Sequence, residues 1–137
     1  MNLTNNEEFA RLSGECRRHL RAGMLDWFAF DLKEMGALLG KEGRYQDKLK
    51  VLMLAFYIDL SGACQPAFID HSLTVSLTSA ATQSGLESYQ IDELYMETVR
   101  EDVTPRHVMT VKDSLYLLQL CIAGKREEAE KLLADWC

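Results

Sequence analysis

Residues 25–62, LDWFAFDLKEMGALLGKEGRYQDKLKVLMLAFYIDLSG, carry two helical patterns back to back. In the first, Leu25, Phe28, Leu32, Met35 and Leu39 recur at alternating spacings of three and four. That is one apolar stripe on a helix, which ends in the glycines between Gly40 and Gly43. In the second, from about Arg44 to Ser61, the run from Leu49 to Ile58 is apolar nearly all round. A helix of that kind is central and covered by several neighbours. Gly62 closes it, and the rest of the chain must supply the cover.

Working towards the N-terminus, Asn5 or Asn6 ahead of Glu7 and Glu8 marks a helix start. Phe9, Leu12, Cys16 and Leu20 then form a stripe that stops near Ala22-Gly23. Towards the C-terminus, Pro66 suits the first turn of a fourth helix, with Phe68, Ile69, Leu73 and Leu77 as its apolar face. More than half of residues 72–84 are Ser or Thr, and Leu73-Thr74-Val75-Ser76-Leu77 alternates like a strand. A strand needs a partner and none is in the sequence, so helix is the expectation. A fifth helix starts around Ser88 and shows Ile91, Leu94, Tyr95 and Thr98 on one face. Thr104-Pro105 predicts the next start, followed by Val108, Val111, Leu115, Leu118 and Ile122, with Leu117 and Leu120 on the flanks. Gly124 breaks this helix, and a short last one turns Ala129, Leu132, Leu133 and Trp136 inward.

The expected fold is all-α: one domain over residues 1–137, with six or seven helices in antiparallel hairpins, TPR-like or an irregular bundle. The third and sixth helices stand at its centre, and Leu52, Phe56, Leu115 and Leu118 are buried. A chain of 137 residues with 47% hydrophobic and 26% charged content can build such a core unaided. Its net charge of −6 opposes nucleic-acid binding. The longest apolar run, Val51 to Ile58, is too short to span a membrane, and the first residues lack the pattern of a signal peptide. Cys16, Cys64, Cys121 and Cys137 contain no C-x-x-C pair, which predicts free thiols and a cytoplasmic location.

The second and third helices together, residues 29–62, resemble a tetratricopeptide repeat. With Gly43 at the turn, Leu32, Met35, Gly36 and Leu39 take the W, L, G and Y positions of the first helix. Tyr45 is the aromatic after the turn and Ala55 the second small position. Leu32 stands for the tryptophan and Lys48 for the close-packing alanine. Residues 110–137 give a fainter match through Gly124-Lys125-Arg126-Glu127-Glu128-Ala129 and Leu133, with Leu117 at the glycine position. The two turn glycines are not a multiple of 34 residues apart, so no regular array is implied. The resemblance implies close approach of backbones at Gly36 and Ala55, and a role in binding protein segments.

Catalytic signatures are absent. His19, His71 and His107 belong to no metal-binding or hydrolase pattern, and no glycine-rich phosphate loop occurs. Cys16 and His19 have a spacing that can share a metal, but both follow the apolar edge of the first helix. A packed cysteine and a partly exposed histidine are the expectation. The primary reading is a non-enzymatic helical protein–protein interaction module, adaptor or regulatory, without a cofactor. Its partner is a protein or a second copy, with neither nucleic acid nor membrane involved. Trp27 and Phe30 lie beyond their helix's stripe and Trp136 ends the last helix, and such aromatic surplus marks contact sites. Arg17, Arg18 and Arg21, with Arg11 a turn or more earlier, form a basic patch that can complement a helix dipole or dock an acidic surface. The alternative is a divalent-metal-dependent all-α hydrolase using Glu93, Glu97 and Glu101, one face of the acidic fifth helix. That site needs acids from a second helix, for which Glu7-Glu8 and Asp31-Glu34 are the candidates.

Overall fold

A computed structural model describes residues 5–60, 71–99 and 110–136, without the side chains of His71, Ser72 and Trp136. Its helices are α1 (Asn5–Arg21), α2 (Leu25–Lys41), α3 (Tyr45–Asp59), α4 (His71–Gln83), α5 (Ser88–Thr98), α6 (Val111–Ile122) and α7 (Arg126–Trp136). No strand occurs among the described residues. None of these helices is long and apolar enough to cross a membrane. Pro66, Cys64, Arg100, Glu101, Thr104, Pro105, His107, Val108 and Cys137 lie outside the described residues.

Three of the links, residues 22–24, 42–44 and 123–125, are built alike. At the second, Gly43 takes φ +74°, which a side chain would resist. The Arg44 amide donates to the Leu39 carbonyl at 2.9 Å and the Gly43 amide to Gly40 at 3.1 Å. These two hydrogen bonds satisfy carbonyls at the end of α2 and turn the chain back within three residues. The bonds from the Met24 amide to the His19 carbonyl, and from the Lys125 amide to the Leu120 carbonyl, repeat the Arg44–Leu39 hydrogen bond at 2.9 Å.

α3 packs against α2, α4 and α5, while α6 packs against α4, α5 and α7. The apolar girdle of α3 divides into two sets. Leu49, Leu52, Met53, Phe56, Tyr57 and Leu60 join α4 to α7 in the larger core. Ala55 and Ile58, with Val51 and Leu54, join Leu12, Cys16, Phe28, Leu32 and Met35 of α1 and α2 in the smaller one. At 100° per residue these sets face opposite ways. Between α2 and α3, a Cβ added to Gly36 would lie 3.1 Å from Leu52 Cδ2, the close approach expected there.

α4 shows why the strand-like alternation folds as helix. Leu73, Leu77, Ala80 and Ala81 share one buried face. The hydroxyls of Thr78 and Thr82 donate to the carbonyls of Thr74 and Thr78, each at 3.0 Å, so the Thr-rich face stays within the helix. α5 begins as expected, closed by reciprocal bonds between Glu87 and Gln90.

Three expectations need correction. α6 does not continue from Pro105: it starts at Val111, where the Thr110 hydroxyl accepts from the Asp113 amide at 3.1 Å. Its buried residues are Ser114, Leu117, Leu118, Leu120 and Cys121, whereas Val111, Leu115 and Ile122 of the expected stripe are only partly buried. Leu115 is half-buried; Leu52, Phe56 and Leu118 are buried. The rotation is possible because Ser114 is not left unpaired, meeting the Tyr95 hydroxyl at 2.6 Å and donating to the Val111 carbonyl at 2.7 Å. Burial raises the Tyr95 phenol above its ordinary range, against the opposing pull of Ser114. On α1, finally, Leu20 is exposed and His19 takes the last inward position.

Candidate interaction site

The richest chemistry lies where α1 meets α2. His19 follows Leu12 and Cys16 on the inward face of α1, and Asp31 stands between Phe28 and Leu32 on the inward face of α2. Their exposures are 6% and 5%, and His19 Nδ1 lies 2.5 Å from Asp31 Oδ2. On the other ring nitrogen, Arg18 Nη2 approaches Nε2 at 3.3 Å. A guanidinium can only donate, so Nε2 is the acceptor in a hydrogen bond with Arg18, and Nδ1 is the ring nitrogen that faces the Asp31 carboxylate. Glu15 Oε2 is 3.7 Å from Nε2 and pairs directly with Arg18. That hydrogen bond from Arg18 holds the Glu15 carboxyl below the usual carboxylate range.

The indole of Trp27 stacks over the imidazole, with centroids 5.8 Å apart and planes at 29°. Phe30 meets Trp27 edge-on at 6.2 Å and 80°. Yet Trp27 is 54% and Phe30 51% exposed, and Leu20 and Met24 beside the turn are exposed as well. The inner side of this end of the hairpin is locked by a buried polar pair. Its outer side is aromatic and open.

The expected partly exposed His19 is thus corrected to a buried one. Stripe position could have found it: Asp31 falls at i+3 from Phe28 and i−4 from Met35, so an acid on that face needs a donor from the neighbouring helix. The arrangement does not activate a nucleophile. Cys16 contacts Met35 through sulfur at 3.3 Å, and its thiol is pushed up to about 11, by burial first and then by Asp31 and Glu15. Burial also pushes Cys121 up to about 11. Both cysteines are free thiols, whereas Cys64 and Cys137 fall outside the described residues. We expect peptide mapping after brief alkylation of the folded protein near pH 8 to leave Cys16 and Cys121 unmodified, and both to label in denaturant. A thiol raised from 9.0 in the unfolded chain to about 11 in the fold contributes stability that is intact below pH 9 and lost as pH rises through 11. Labelling of Cys16 in the native state would show that the α1–α2 seam opens readily.

Of the other expected residues, Arg17, Arg18 and Arg21 are exposed and line one shallow depression with Gly14 and Ala22. Arg18 connects that depression to His19, and so to Trp27. Trp136 is the last residue of α7, a helix packed on α6 and remote from this hairpin in the order of packing. Glu93 and Glu97 are exposed one turn apart on α5. Among the described residues no three His, Cys, Asp or Glu side chains converge as metal ligands. No protein-family model, curated protein or solved structure matches this chain.

Proposed function

We propose that this protein is a helical protein–protein interaction module whose contact surface is the α1–α2 end carrying Trp27 and Phe30. The observation that carries the reading is that two touching aromatic rings, Trp27 and Phe30, remain half exposed side by side, with Leu20 and Met24 exposed near them. Large rigid rings on a locked support lose little conformational freedom on contact, which is why tryptophan is enriched at binding hot spots. The His19–Asp31 pair serves as that support, since Trp27 rests on the imidazole. Arg17, Arg18 and Arg21 at the border favour an acidic partner. The tetratricopeptide resemblance of residues 29–62 enters only as a single hairpin, because the peptide groove of such domains needs about three. The metal-hydrolase alternative draws no support from the geometry of Glu93 and Glu97.

Affinity capture from the native host, with wild type beside Trp27→Ser/Phe30→Ser, tests the reading. We expect at least one protein to be retained by wild type and lost from the variant, while circular dichroism stays unchanged. A capture profile identical for both would overturn it.

A further inference from the structure

We propose that the α1–α2 surface takes a second copy of this chain, docked head to tail through the outer face of α5. This rests on the interaction-module reading and names a partner for it. On α5, Tyr89, Glu93, Met96 and Glu97 stand at i, i+4, i+7 and i+8, all four exposed. One stripe therefore carries a phenol, a thioether and two carboxylates. Among the described residues neither Glu93 nor Glu97 enters an ion pair. On α1 the situation is reciprocal. Arg11 and Arg18 are held by Glu8 and Glu15, but Arg17 and Arg21 are exposed, one turn apart, and engaged by no carboxylate among the described residues.

These two pairs, unengaged among the described residues, share the same i, i+4 spacing, about 5–6 Å between neighbouring Cβ atoms. Guanidinium and carboxylate can meet two by two. Beyond the arginines, Arg18 leads on to Trp27 and Phe30, the rings that Tyr89 and Met96 would cover. Among the described residues, the two halves do not meet within one copy. The α1–α2 core packs on one side of α3 and α5 on the opposite side. Each copy therefore presents both halves of the contact, so the pairing is heterologous: it closes into a ring or continues as an open chain of copies. With a net charge of −6, copies repel one another overall, and the contact depends on this local match.

Sedimentation equilibrium up to high micromolar concentration tests the proposal, using wild type, Arg17→Glu/Arg21→Glu and Glu93→Lys/Glu97→Lys. Wild type should self-associate at low salt and weaken at high salt. Each charge reversal should weaken association at least tenfold with helicity unchanged. An equimolar mixture of the two variants should associate again, since reversed arginine positions then face reversed glutamate positions. Should the α1 reversal unfold, Arg17→Gln/Arg21→Gln removes the charges without opposing the helix dipole and must weaken association by itself. A wild type monomeric throughout, an association that either reversal leaves intact, or a mixture that stays monomeric would each overturn the proposal. A monomeric wild type that still captures a foreign protein through Trp27 and Phe30 would leave the interaction-module reading standing and remove only the second copy.

Discussion

His19→Leu is expected to cost about 3–5 kcal/mol of folding stability, among the largest single losses available in this chain. The size follows from what remains behind. Asp31 is 5% exposed and His19 is the partner of its carboxylate, so the leucine variant buries a charge with nothing to receive from. Asp31→Leu removes the charge instead and orphans only the Nδ1 hydrogen, which costs about 1–3 kcal/mol. Both single variants should therefore be destabilised in urea, His19→Leu the more. The double variant should recover much of the loss, because a well-packed apolar pair replaces a buried polar one at little net cost. Equal losses for the two single variants, adding without recovery in the double, would show that the pair is not coupled.

Leu118→Ala should cost about 2–5 kcal/mol, against less than half of that for Leu115→Ala. Leu118 is 0% exposed in the larger core, whereas Leu115 is packed against that core from its edge. The alanine at 118 leaves a void between helices already held by their neighbours, and the site can collapse only partly. At 115 solvent already reaches the side chain, so less transfer free energy is at stake. Urea midpoints of the two variants give the comparison directly. A larger loss at 115 than at 118 would mean that α6 turns its other face to the core.

Helix order was legible from residue spacing, and so was the centrality of α3. An apolar girdle needs cover on every side, and glycine punctuation set the three short links. What periodicity could not resolve was rotation by one position. On α6 both {Val111, Leu115, Leu118, Ile122} and {Ser114, Leu117, Leu118, Cys121} have helical spacing. The second contains a serine, whose burial becomes acceptable only because Tyr95 arrives from α5. The last turn of α1 is similar. Leu20 looked like the natural end of its stripe, but Asp31 on α2 draws His19 inward instead. In both cases a polar residue wins an inward position through a partner distant in sequence. The exposure of Trp27 and Phe30 was legible because two aromatics stood outside a complete apolar stripe. The support beneath Trp27 was not.

From Val51 to Asp59 α3 exposes no residue, and this bears on how the protein opens. Its amide hydrogens sit inside a helix walled by one core along Phe56 and by another along Ile58. Loosening α1 and α2 strips one wall, and loosening α4 to α7 strips the other, yet either leaves α3 half covered. Hydrogen exchange from the middle of α3 must therefore wait for both walls to part, which ties the two cores into a single cooperative unit. An excised α1–α3 fragment would carry Leu49, Met53, Phe56 and Tyr57 as a bare flank, a surface prone to stick to other chains.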